Sequence, residues 1–327
     1  MRRHLYLLLA FATVVVMPLT MRSGTLASEV LIYGLAAMGC NLLLGHTGLL
    51  SFGQGIFFGL GSYTIALSLT RWPLPMPLAL TFAIVAGAAG AGLIGWIAIR
   101  QKGTYFVMLT LAFAQMFYFL AYSFPGLTGG DNGLLDIPRP SIAVAGHTLW
   151  PLASPWQYYG FVAVVFLAAF WLLQRVSDSI FGRTLLAVRD NETRAGAIGY
   201  NLKLLKLQAF MISGAVTGLA GALHAMMTGI APLSNAEYHT SEMILVITVI
   251  GGTGNLLASL LGAAFYVLLG DWLSTLWPRW LLLLGLVLMV VSLGMQRGLW
   301  GLGESIWNVV RRKPADASRI AATGDGK

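Results

Sequence analysis

Nine long apolar runs, over about 5–20, 26–45, 49–69, 77–99, 104–123, 157–174, 208–228, 242–270 and 279–295, dominate this chain. Each approaches the roughly 20 apolar residues that cross a hydrocarbon layer as a helix. Only 10% of the 327 residues are charged and 57% are hydrophobic, against about 25% charged in soluble domains. No water-facing core of this size buries that much apolar surface. The expected fold class is therefore all-α: a polytopic integral membrane bundle of about nine to ten transmembrane helices with a cytoplasmic coupling helix. One transmembrane domain is expected over 1–310, with a disordered cytoplasmic tail over 311–327.

Charge gives the orientation, because Lys and Arg accumulate in cytoplasmic loops. Arg2, Arg3, Arg100 and Lys102 mark inner turns, as do the 175–206 segment and Arg311, Arg312 and Lys313. Both termini then lie inside, which requires an even number of crossings. That favours ten, with 242–270 divided at Gly251, Gly252 and Gly254. The net charge of +8 reflects these loops rather than nucleic-acid binding. The basic, apolar N-terminus shows no small-residue cleavage site close behind it, so an uncleaved first helix is expected. Trp150, Trp156, Tyr158 and Tyr159, and Trp272, Trp277 and Trp280 at another outer turn, suit an interfacial aromatic belt.

Small residues recur every four positions, at Ala83, Gly87, Ala91 and Gly95 and again at Gly214, Gly218 and Ala222. Such stripes let helix backbones approach closely in lipid, here most simply within the subunit. A faint internal echo links Gly45-His46-Thr47-Gly48 to Gly251-Gly252-Thr253-Gly254.

The absent chemistry narrows function. The span interiors hold almost no ionisable side chain; Glu29, Arg71 and Asp271 lie near ends. Coupled carriers and proton pumps need such groups inside the membrane. No phosphate loop, His-Glu-x-x-His or Gly-x-Ser-x-Gly motif occurs, and the one cysteine, Cys40, excludes an internal disulfide. No catalytic or metal-binding residue is expected, His46 and His224 reading as structural. A self-sufficient carrier or channel and a membrane enzyme are the rival classes.

Three polar constellations remain. The inner segment 175–206 carries six basic and three acidic residues. Within it Arg189, Asp190, Asn191, Glu192, Arg194, Ala195 and Gly199 read as a short helix, capped by Asp190 or Asn191 and ended by Gly199. The outer loop holds Thr128, Gly129, Gly130, Asp131 and Asn132, either a plain connecting turn or a surface for a substrate-carrying partner. The third, from Asn41 to Gly59, is a Gly-rich polar break that is either a tight inner turn or part of a path. Asn41, Thr47, Ser51, Gln54, Thr110, Gln115, Thr253 and Asn255 are the candidate path-edging residues.

All three constellations occur in order in one family. NLLLGHTGLLSFGQGIFFGLGSY, GTYFVMLTLAFAQ with LTGGDNGL, FGRTLLAVRDNETRAGAIGYN, SGAVTGLAGAL and GGTGNLLASLLGA resemble the LivM-type permease subunits of branched-chain amino acid ABC importers. The resemblance covers roughly 30–300. It implies a non-enzymatic permease of the bacterial inner membrane that pairs with a second, LivH-type permease. Two cytoplasmic ATPases would bind the ATP, so this chain needs no cofactor, and a periplasmic binding protein would deliver the amino acid. The Arg189–Gly199 segment would be the coupling helix and the outer loop the binding-protein dock. One departure, Gln54-Gly55 where many members have His-Ala, leaves urea, short amides or another small polar solute open as cargo.

Overall fold

A computed structural model describes residues 2–21, 23–139, 142–144, 147–150, 152, 154–294 and 298–301. The expected tail, with Arg311, Arg312 and Lys313, lies outside the described residues. Helices follow the apolar runs in order: α1 (Arg2–Thr20), α2 (Gly24–Thr47), α3 (Gln54–Thr70), α4 (Met76–Ala98), α5 (Thr104–Ser123), the single turn α6 (Pro125–Thr128) and α7 (Pro155–Asp178). Then come α8 (Ile180–Asp190), α9 (Glu192–Ala197), α10 (Leu202–Thr228), α11 (Tyr238–Gly251), α12 (Leu256–Leu276) and α13 (Trp280–Gly294). The 242–270 run does divide, with Gly252 and Gly254 at φ of 117° and 96° carrying the turn.

Local chemistry sets the ends. Gly48, Gly229 and the αL backbone they adopt close α2 and α10. Ser154 and Gln157 form a capping box at the start of α7, with Pro155 in the first turn. Asn201 and Asn255 accept from backbone amides at the starts of α10 and α12.

Among the described residues six helices, α2, α4, α5, α7, α10 and α12, are long and apolar enough to cross a membrane. The expected nine to ten crossings thus resolve into six long helices and shorter ones. At about 1.5 Å per residue, the 17 residues of α3 and 14 of α11 span less than the roughly 30 Å hydrocarbon core. A small antiparallel hairpin, Ile142–Val144 with His147–Trp150 (β1 and β2), lies in the loop before α7.

α2 and α10 form the centre: 83% of the apolar window of each is buried, against 22% for α5. Glycine makes this possible. Gly87 of α4 faces Gly214 and Gly218 of α10, and Gly214 also meets Ala91. The two small-residue stripes therefore pack on each other inside the subunit. α3 crosses α10 even more closely: a Cβ on Gly61 would land on the Gly218 carbonyl, and one on Gly221 on the Phe58 carbonyl. In lipid such contact is stabilised by dispersion and by polar bonds rather than by water exclusion.

The aromatic expectation needs a correction at two residues. Tyr158 and Tyr159 are only 1% and 5% exposed, so they are core residues and not interfacial anchors. Their hydroxyls donate to the carbonyls of Leu223 and Val14, both at 2.6 Å; the phenols fill the α7 packing seam because carbonyls there satisfy them. Trp156, Trp272 and Trp277 are exposed as a belt requires.

Loops gather at two ends. At one, Arg71 donates to the Gly126 carbonyl, Leu134 bridges to Ala231, and Ile137 N donates to the Gly229 carbonyl at 2.8 Å. At the other, the α2–α3 and α11–α12 turns meet the charged 179–201 segment.

Candidate functional site

The charged segment is two helices, not one. Arg189 and Asp190 complete the last turn of α8. Asn191 then breaks the helix, and its side chain accepts from Arg194 N at 2.9 Å to cap α9. Gly199, at φ 97°, turns the chain away. Ala195 is 4% exposed and so faces its own bundle. Its neighbours Ile198 and Tyr200 are 72% and 46% exposed, an apolar tip with no signal in the sequence, where single apolar residues in a charged segment are ordinary.

Glu192 fixes the segment. Its carboxylate lies 3.1 Å from Lys206 Nζ and 3.3 Å from Lys102 Nζ. Burial alone would raise its pKa, but the two ammonium groups outweigh it and hold it below the ordinary carboxylate value. α9 is thereby tied both to the α4–α5 turn and to the first helical turns of α10.

Arg189 reaches the other way. Its guanidinium donates to the Gly45 carbonyl in the last turn of α2, an orphan acceptor at a helix end. Gly45 in turn abuts Gly254, for a Cβ there would lie 2.6 Å from Gly254 N. The two halves of the sequence echo, Gly45–Gly48 and Gly251–Gly254, are thus in contact.

Asn41 locks that contact. It is fully buried. Its Nδ2 donates to the Asn255 carbonyl (2.8 Å), Ser259 Oγ (2.9 Å) and the Gly252 carbonyl (3.4 Å). Its Oδ1 accepts from Gly254 N at 2.9 Å. One amide therefore bonds α2 to the turn between α11 and α12.

The remaining candidates fall into a second polar group. Gln54, fully buried at the start of α3, donates to Ser213 Oγ at 3.1 Å and accepts from Thr217 at 2.7 Å. Gly55 N donates to Ser241 Oγ at 2.7 Å, and a Cβ at Gly55 would lie 2.6 Å from the Glu237 carbonyl oxygen. Two short helices, α3 and α11, thus begin against one another, and the backbone there admits only glycine at 55. Thr110 accepts from Phe52 N at 3.2 Å, and Ser51 from Gly53 N at 3.1 Å. Thr47 donates to the Leu43 carbonyl at 2.6 Å. Gln115 is half-buried on α5, and Thr253 is exposed in its turn. The candidates therefore fall into two interhelical groups, one around Asn41 and Asn255 and one around Gln54, while Thr47 and Ser51 bond within their own segments and Gln115 lies apart. Ser213, Thr217, Ser241 and Ser259, which complete them, carry no signal in sequence beyond being hydroxyls within apolar runs.

At the opposite end, Thr128 donates to the Ala121 and Phe124 carbonyls, at 2.5 and 2.9 Å. Gly129 and Gly130, at φ 79° and 60°, then carry a tight turn that leaves Asp131 and Asn132 exposed. His224 packs against Tyr33 and Phe58 and meets Asn235 at 3.4 Å.

Long apolar helices joined through glycine, a buried polar break and a charged cap at one end are the features of a multi-pass membrane protein. The chain belongs to the family described as branched-chain amino acid transport system / permease component, whose model matches residues 24–293. It is 27% identical over 318 residues to the high-affinity branched-chain amino acid transport system permease protein LivM of Escherichia coli (strain K12), covering 91% of this chain and 75% of that protein. The Salmonella typhimurium LivM matches equally. The autoinducer 2 import system permease protein LsrC of Salmonella paratyphi B is 24% identical over 59% of this chain and 53% of its own length. No solved structure matches.

Proposed function

We propose that this chain is the permease subunit of an ATP-driven importer of neutral branched-chain amino acids in the bacterial inner membrane. The family match over 24–293 carries this reading, supported by the likeness to LivM along most of both chains. The end bearing Arg100, Lys102 and α8–α9 faces the cytosol, as its Lys and Arg content favours. The end with Asp131 and Asn132 faces a periplasmic binding protein. A second permease and two cytoplasmic ATPases complete the assembly, and ATP is bound by the latter.

In this reading the contacts of α8 and α9 act as a linkage. An ATPase that grips the Ile198–Tyr200 tip displaces α9, and with it α8. Arg189 transmits that displacement to Gly45, and Asn41 passes it to the α11–α12 turn. α2, α11 and α12 then shift against α3 and α10, which pack closely on each other through Gly61, Gly218 and Gly221. Gating by rigid elements of this kind needs two packed arrangements rather than gradual deformation. A ligand with no net charge suits a bundle whose interhelical polar bonds around Asn41 and Gln54 are made by neutral amides and hydroxyls.

Uptake of labelled leucine into proteoliposomes holding the whole assembly tests this. Leucine accumulation that needs ATP and is competed by isoleucine and valine is the expected result. Competition by urea or acetamide instead would reassign the cargo.

A further inference from the structure

We infer that a groove between the cytosolic ends of α4 and α10 is a binding site for an anionic phospholipid. The groove has a volume of about 420 Å³ and is lined by Gly95, Trp96, Ile99, Arg100, Lys203 and Leu204, among others. Its mouth is cationic. Arg100 and Lys203 are both exposed there, and among the described residues neither is paired with a carboxylate. This contrasts with Lys102 and Lys206 nearby, which share Glu192. Asn201, also on the lining, starts α10, so the amides of that first turn add a fixed partial positive charge.

The walls are apolar. Trp96 and Leu204 are 63% and 51% exposed, and the Arg100 guanidinium stacks 4.8 Å above the Trp96 ring. That stacking holds the cation at the depth where indoles prefer to sit, the headgroup level. Two cations beside an aromatic anchor, with an apolar wall running on into the bundle, are complementary to a negatively charged headgroup and its acyl chains. A basic groove between membrane helices on the cytosolic side is the setting in which such headgroups bind. A protein partner is the weaker match, because Trp96 on the lining and Leu93 beside it on α4 form an exposed apolar face, at 63% and 65% exposure. The site adjoins the base of α9 through the α4–α5 turn. Its orientation rests on the proposed cytosolic facing of this end.

The test uses the full-length protein in detergent, with native mass spectrometry and lipid titration. The probes are phosphatidylglycerol, phosphatidylcholine of the same acyl chains, and inorganic phosphate. Wild type is expected to retain phosphatidylglycerol in preference to phosphatidylcholine and to ignore phosphate. Each of Arg100→Gln and Lys203→Gln is expected to weaken phosphatidylglycerol about five-fold, and the double variant about thirty-fold. Arg183→Gln, an exposed cation on α8, removes the same charge elsewhere and is expected to leave the affinity unchanged. Equal loss in the Arg183 variant, equal retention of phosphatidylcholine, or phosphate competing with lipid would each overturn the proposal. Because binding is read without transport, a failure here is distinct from a failure of the importer assignment.

Discussion

Replacing Asn41 by alanine removes the bond between α2 and the α11–α12 turn without touching either backbone. Three of its hydrogen bonds are short, at 2.8 to 2.9 Å, and each contributes about 1 kcal/mol net. The Gly254 amide and the Asn255 carbonyl lose their partner as well, so the total cost is about 3–4 kcal/mol. Asn41→Asp keeps an acceptor for Gly254 N but sets a carboxylate oxygen against the Asn255 carbonyl and Ser259. It is expected to be worse than alanine, although it is the closer isostere. Denaturant titration of the purified protein in micelles reads the stability, and uptake by the whole assembly reads the coupling. Both variants are expected to lower both. Stability matching wild type in Asn41→Ala would refute the reasoning, as would an aspartate variant more stable than the alanine one.

Three further outcomes follow from the same geometry. Gly61→Ala forces a methyl group onto the Gly218 backbone and is expected to cost about 2 kcal/mol or more, whereas Gly126→Ala, with open space around it, is expected to be neutral in the same melts. The depressed pKa of Glu192 means that its ion pairs stabilise the fold above its unfolded value of about 4.5 and lose that contribution as pH falls through the lower folded value. Hydrogen exchange of α9 should therefore rise as the pH drops below 4.5 in wild type but not in Glu192→Gln. Ile198→Asp is expected to leave the melting midpoint unchanged while weakening ATPase capture by about ten-fold or more, the contribution of one buried aliphatic anchor.

The parts of the fold carried by local pattern were legible in the chain. Ala83, Gly87, Ala91 and Gly95 announced a close helix contact because four-residue spacing puts them on one stripe, and their partner stripe at Gly214 and Gly218 showed the same spacing. Gly252 and Gly254 announced the break in the eighth run because only glycine takes those φ values easily. Tyr158 and Tyr159 were misread because a tyrosine beside a loop has the same sequence signature whether its ring faces lipid or core; the carbonyls of Leu223 and Val14 that decide it are remote in sequence. The hairpin at Ile142–Trp150 was invisible for want of a turn signal such as Asn-Gly. The candidate site shows the same division. Asn191 and Gly199 betray the short helix, since capping is local. The partners of Asn41 are more than 200 positions away, and the Arg189–Gly45 bond is likewise a product of the assembled bundle.

The linkage from α8 to α2 is tested most directly at Arg189, by measuring leucine uptake and ATP hydrolysis together in proteoliposomes of the full assembly. A charged hydrogen bond to a buried carbonyl contributes about 1.5–3 kcal/mol, so Arg189→Ala is expected to lower the leucine carried per ATP by about ten-fold or more while the ATPases stay bound. Arg189→Ala transporting leucine with the wild-type ratio would contradict the account.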